Sequence, residues 1–222
     1  MDKPENAVPQ PNIDPVPEAA LAQLQPVLEA SAAAMGFVPN SMTTMAHMPQ
    51  LPMAFSMLAG VVFGADLQGL MNNYAQHVPT DAKAAEALTP DQVQLIAYTV
   101  SLSAGCRYCQ AHTSHNAHRF GLAEEKLNAV LAYETSDLFS ASERALIALA
   151  LACGEVPNGA QPAHFSALRE HFSERQVTQI VSVISLFGYL NRWNDTVGTQ
   201  LESIPVAFAD GHLKDWEIGK HG

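Results

Sequence analysis

Cys106 and Cys109 stand three residues apart in the run Gly105-Cys106-Arg107-Tyr108-Cys109-Gln110-Ala111-His112. On a helix this spacing places two thiols and the His112 imidazole on one face. The thiols can then close a disulfide without unfolding anything. Gly105 reads as a helix break, which sets Cys106 at a helix N-terminus. There the unpaired backbone N–H groups and the macrodipole stabilise a thiolate. Arg107 adds a nearby positive charge. A thiolate is the attacking species in thiol chemistry, and His112 could take a proton from a thiol or deliver one to a leaving alkoxide. The chemistry in prospect is redox work in which the only cofactor is the protein's own sulfur, with no metal and no organic group.

Two other readings of the cysteine pair stay open. A CxxC can be half of a zinc site, but a closed site needs two more ligands. No second CxxC exists, and His112 with His115 would crowd one helix. The pair could also be buried and inert. Cys153 sits in an Ala/Leu-rich stretch and reads as a small core hydrophobe.

The surrounding elements read as helices. Thr89-Pro90-Asp91-Gln92 is a capping box with proline at the first helical position and an acid in the first turn. The helix it starts should run to about Ala104-Gly105. A second helix carries Cys106 to Phe120 and stops at Gly121, and a third is predicted over Leu122 to Tyr133. Ser140-Ala141-Ser142-Glu143 repeats the capping pattern at the same offset before Leu146-Ile147-Ala148, which raises the possibility of an internal duplication. Ser173 to Gln176 repeats it again. Upstream, Glu18 to Met35 should be helical with Gly36 as its stop. Further helical pieces are expected over Ser41 to His47 and Leu51 to Leu70, and Asp81 to Ala87 reads as a short helix or loop. Met42, Met45, Met48, Met53 and Met57 read as core or interface filler. Residues 1–17 are rich in proline and read as an extended arm, with residues 18–222 forming one helical domain. No alternation long enough for a sheet occurs, so an all-α fold is predicted.

Composition agrees and excludes some functions. The chain has 222 residues, 48% hydrophobic and only 7% aromatic, with a net charge of −11 and no Lys/Arg block. That balance argues against nucleic acid and anionic membrane surfaces as partners, since both need clustered cations. No apolar run reaches the roughly 18 residues of a membrane span. The first residues lack the pattern of a signal peptide. A cytoplasmic protein is expected, and in a reducing compartment a CxxC is catalytic or metal-binding more often than structural.

Several stretches, taken in order, resemble the carboxymuconolactone decarboxylase superfamily and, within it, the alkylhydroperoxidase D-like, peroxidase-related branch. They are Gly36 to Asn40 with His47-Met48-Pro49, Leu88-Thr89-Pro90, the CxxC with Ala117 and Gly121, Ser142 to Leu146, Leu190 to Asp195, and Trp216 with Gly219-Lys220-His221. The resemblance implies an all-α fold that assembles as a dimer, trimer or hexamer. It also implies peroxide reduction, with a Cys106–Cys109 disulfide formed and then re-reduced by an outside thiol or dithiol. On the family pattern Cys109 meets the peroxide and Cys106 resolves, whereas the dipole argument alone favours Cys106 as thiolate.

The chain departs from the family at three positions of the proton relay. Gln94 stands where the family has Glu, Thr113 where it has His, and Tyr108 where a histidine lies between the cysteines. Gln94 can hold a hydrogen bond but cannot act as a base. His112 could substitute from a different angle, with Tyr98 or Tyr108 as a hydroxyl partner. In the polar run Asn191 to Asp195, Arg192 and Asp195 either face solvent, form an ion pair, or line a pocket or interface, and Trp193 reads as packing. The candidate site is therefore Cys106, Cys109, His112, Gln94 and Tyr108. A lactone decarboxylase of the same superfamily and a non-catalytic oligomeric redox sensor are the alternatives to a thiol peroxidase.

Overall fold

The structure is a computed structural model that describes residues 10–222, so the first nine residues of the predicted arm lie outside it. Among the described residues every regular element is a helix. The chain divides into two compact units, Met1–Ala85 and Glu86–Gly222.

In the first unit a 3-10 turn, Glu18–Leu24, runs into α1 (Gln25–Met35). Gly36 ends it in the left-handed region at φ 81°, as a C-terminal glycine does. α2 (Asn40–Met45) and α3 (Leu51–Val62) follow. The helix predicted over Leu51 to Leu70 is two. Gly64 turns the chain at φ 92°, and Asp66 starts α4 (Leu67–Tyr74) by accepting the Gly69 N–H at 2.7 Å. Leu24, Val27, Leu28, Met42, Met53 and Tyr74 form this unit's core, with Met57 packed against it. At those positions methionine is core filler.

The second unit carries the chemistry. α5 (Pro90–Ser103) begins at the Thr89 capping box, and α8 (Ala141–Gly154) at the Ser140 capping box. Each is 14 residues long, and they pack against each other. α6 (Arg107–Arg119) follows α5 after Gly105, whose φ of 77° only glycine adopts cheaply. Beyond α6 the chain winds as α7 (Glu124–Ala129) and a 3-10 turn, Val130–Ala132, rather than as one helix to Tyr133. α9 (Pro162–Arg169) leads to the 24-residue α10 (Glu174–Val197), capped by Ser173 and ended by Gly198 in the left-handed region. α11 (Ser203–His212) packs on α6, and a last 3-10 turn, Gly219–His221, also reaches α6.

α5 packs against α6, α8 and α10, so its side chains are buried all along the second half. Leu95, Tyr98, Leu127, Phe139, Ile147 and Phe208 meet in one cluster. Ile147 is fully buried there. Ile147→Ala should lower stability by about 2–5 kcal/mol through lost transfer energy plus the cavity left behind. Urea unfolding checks this: the midpoint falls while the slope stays constant.

Candidate active site

Cys106 is the N-cap of α6, and its Sγ accepts the Cys109 N–H at 3.5 Å. A thiol thus occupies the place of the usual Ser or Asp cap. Both cysteines are reduced and buried. The helix start is as the sequence predicts, but the electrostatic order is the reverse of the dipole argument. The Cys106 thiol donates to Cys109 Sγ and so favours the Cys109 thiolate. Burial opposes this, and the Asn194 amide, 3.5 Å from Cys109 Sγ, adds to it. The balance holds the Cys109 thiol below its usual range. The same contact, with burial, pushes Cys106 up. The Arg107 guanidinium donates to Gln110 Oε1 at 3.0 Å.

A second set of polar groups near the cysteines comes from the C-terminal third of the chain. Asn191, Asn194 and Asp195 lie at i, i+3 and i+4, hence on one face of α10. Ligand atoms of Cys106, Asp195 and His221 all lie within 4.8 Å of one another. His221 Nε2 lies 3.1 Å from Asp195 Oδ1, and its Nδ1 lies 2.8 Å from the Thr199 carbonyl. A carbonyl only accepts, so Nδ1 carries a hydrogen. Nε2 faces a carboxyl group, and that contact also needs a hydrogen. The contact between buried His221 and half-buried Asp195 therefore holds one hydrogen shared between Nε2 and Oδ1. The geometry would also admit a soft divalent cation. Lys220 Nζ, 3.4 Å from Asp195 Oδ2, opposes a cation and suits an anion or a proton relay.

The other candidate residues lie in two places. His112 Nε2 is 2.7 Å from Glu202 Oε2, and the Tyr108 hydroxyl donates to Glu202 Oε1 at 3.1 Å. Burial pushes the Glu202 carboxyl up, but its own backbone N–H, His112 and Tyr108 outweigh this and hold it low. The Tyr108 ring bridges the groups, with its centroid 4.5 Å from that of His112 and 5.9 Å from that of His221. Burial and Glu202 push the Tyr108 hydroxyl up, so it stays protonated as a donor. The hydrogen-bond partner of His112 is Glu202 rather than either thiol. Thr113, at the family's histidine position, donates to the Cys109 carbonyl at 2.6 Å and only back-bonds its own helix. Gln94 sits in α5 with its Oε1 buried and without a partner.

Two expectations on α10 change. Asp195 pairs with Lys220 and His221 rather than with Arg192, although both residues line a cleft, as one of the alternatives expected. Trp193 is 54% exposed and stacks on Tyr189, because the face carrying Asn191, Asn194 and Asp195 turns inward and sends Trp193 outward. Cys153 is half-buried and lines a cleft of about 360 Å³ with Asn191 and Asp195, rather than filling the core. Sequence reasoning left Asn194, Glu202 and His221 out of the site. The polar i, i+3, i+4 triplet on an otherwise apolar helix was the one local signal that could have pointed to Asn194.

Comparison with known proteins places this site. The model of the carboxymuconolactone decarboxylase family matches residues 66–152. The solved apo structure of the debrominase Bmp8 is 32% identical over 88% of this chain and 95% of its own, with a TM-score of 0.51. The chain belongs to the carboxymuconolactone decarboxylase superfamily, and its described elements are all helical. A cysteine-to-alanine variant of the same debrominase, solved in complex with 2,3,4-tribromopyrrole, gives 31% identity and a TM-score of 0.52. The uncharacterized protein YdfG of Bacillus subtilis (strain 168) is 29% identical over 112 residues, half of this chain and 76% of its own length. The alkylhydroperoxidase AhpD core of Ralstonia eutropha JMP134, an uncharacterized peroxidase-related protein, is 25% identical over 86% of this chain and 93% of its own, with a TM-score of 0.48. The segment matched by the family model ends inside α8. It holds both cysteines of this superfamily member but not Asn194, Asp195, Glu202 or His221.

The hydrogen bonds to Cys109 predict a pH effect. Below its folded pKa the thiol is protonated and unreactive, so a lowered pKa keeps it reactive to lower pH. Cys106→Ala and Asn194→Leu each remove a donor, and each should shift the Cys109 iodoacetamide-labelling profile to higher pH. Mass spectrometry of the labelled peptide measures this.

Proposed function

We propose that this superfamily member is a dithiol reductase that turns over small electrophilic substrates, peroxides first among them. The observation that carries the reading is the reduced, buried Cys106–Cys109 pair with Cys109 biased toward thiolate. The Cys109 thiolate attacks the distal oxygen of a hydroperoxide. The S–O bond forms, the O–O bond breaks, and the alkoxide leaves as an alcohol after taking the proton shared by His221 and Asp195. Cys109 is then a sulfenic acid. Cys106 gives up its proton and attacks the Cys109 sulfur, the S–S bond closes, and water leaves. An external dithiol reduces the disulfide and restores both thiols. The redox-active disulfide serves in place of a bound cofactor.

A second reading of the same pair is reductive debromination, supported by the likeness to Bmp8 and its tribromopyrrole complex. The Cys109 thiolate takes bromine from an electron-rich ring carbon. The carbon keeps the C–Br electron pair and accepts a proton, and Cys106 then displaces bromide as the disulfide closes. Both reactions consume two thiols per substrate and need one proton delivered to the leaving group.

A homo-oligomer fits the outer face of α10, where Leu186, Tyr189, Trp193 and Val197 stand exposed in a stripe. No helix among the described residues is long and apolar enough to cross a membrane, and we place the protein in the cytoplasm on the reducing conditions its pair requires. The experiment is dithiothreitol consumption with tert-butyl hydroperoxide, run beside bromide release from 2,3,4-tribromopyrrole. Turnover of either substrate supports dithiol reduction and separates the two readings. Failure of both, with the thiols shown to be reduced, overturns it.

A further inference from the structure

The cleft behind Asp195 has features that the thiol reaction does not use. It is walled by the C-terminal ends of α5 and α8 and by α10, and encloses about 360 Å³, within the range of small-molecule sites. Asn191 lies on its wall, 95% buried by its 5% exposure, and neither the Nδ2 nor the Oδ1 of its amide has a partner. An unpaired buried polar group costs about 1–3 kcal/mol, and here both ends of one carboxamide are unpaired. Gly188, one turn earlier, lines the same cleft. Glycine in mid-helix is costly relative to alanine, yet a Cβ at Gly188 would meet nothing within 4 Å. No packing within the chain therefore demands glycine there. It leaves open space at the cleft lining one turn from Asn191.

We infer that this cleft binds a small, neutral, planar ring carrying a cis-amide edge, such as a lactam, cyclic imide or pyridone. The class follows from what an orphaned carboxamide lacks. Asn191 offers one acceptor and two N–H donors; both ends are shielded as they stand, and binding turns the amide about its terminal torsion, which is broad for Asn, toward the cleft it lines. A carboxylate would satisfy only the donor. A cis-amide presents N–H and C=O side by side and satisfies both. Val100 and Ala104 supply an apolar wall for the ring. Of the charged groups in the lining, Asp195 is already paired with Lys220, and the charges of Glu155 and Arg192 offset each other, so no net charge is left to select an ionic ligand. The inference concerns binding alone and holds whether or not the thiol pair turns over a substrate.

The test is calorimetric titration of the full chain with 2-pyridone and with N-methyl-2-pyridone, which keeps the ring and carbonyl but lacks the N–H. The wild type should bind 2-pyridone and bind the N-methyl compound at least about tenfold more weakly, the loss of one paired hydrogen bond. Gly188→Leu fills the cleft from a position with free space, and should fold and lose 2-pyridone binding. Asn191→Leu should lose the discrimination between the two compounds. Equal binding of the two compounds by the wild type, undiminished binding by a folded Gly188→Leu protein, or no binding of 2-pyridone at all would each overturn the inference. Peroxide or bromopyrrole turnover is measured separately, so failure here leaves the thiol reading standing, and the reverse.

Discussion

Cys109→Ser should reduce dithiol-dependent turnover by roughly 10³-fold or more, the scale seen when the nucleophile of a catalytic unit is removed. Cys106→Ser should behave differently. Cys109 can still attack once, so a single equivalent of substrate is consumed and a sulfenic acid accumulates. The difference rests on the two sulfurs having unequal partners. Cys109 receives hydrogen bonds from Cys106 and from Asn194, while Cys106 is pushed up by the same contact and by burial. Rapid-quench kinetics with a sulfenic-acid trap measures both outcomes. A burst in Cys109→Ser and none in Cys106→Ser would reverse the assigned roles.

Asp195→Asn and His221→Gln should each lower turnover by about 10²–10⁴-fold, the range of a positioned general acid. Both remove the proton shared between Asp195 and His221 beside Cys106. Loss of a merely structural contact would lower the rate at every pH alike. Loss of the proton donor acts on the leaving group, so substrates whose leaving group is already a weak base should be spared. Comparing tert-butyl hydroperoxide with a peroxyacid, whose leaving carboxylate needs no proton, separates the two cases. The variants should slow the first strongly and the second little. His112→Ala, by contrast, should cost only a few-fold, because His112 pairs with the half-exposed Glu202 rather than with a thiol.

Much of this could be read from local signals. The capping boxes at Thr89, Ser140 and Ser173 are where the sequence places them, because a cap needs only residues three apart. The helix break at Gly105 is likewise local, since its positive φ suits glycine. Where the elements differ from expectation, the cause is a local turn and cap in one case and tertiary packing in the other. α3 and α4 are separate because Gly64 turns and Asp66 recaps the chain. Trp193 is exposed because three polar residues claim the inner face of α10.

The sequence by itself determined the all-α fold, the placement of Cys106 at a helix start, and the pairing of two thiols one turn apart. These depend on spacing and backbone preference over a few residues. The tertiary structure alone decided which thiol is favoured as thiolate and which acidic and basic groups stand beside the pair. The Asn194 contact to Cys109 spans 85 residues of chain and the His112 contact to Glu202 spans 90. Gln94 and Thr113 stand where the family keeps its acid and imidazole, and position along the chain gives no hint of a replacement. The replacement we propose, Asp195 with His221, comes to Cys106 only when α10 and the last turn of the chain pack against α6. Hydrogen-bond partners at that separation are set by packing, which no local pattern encodes.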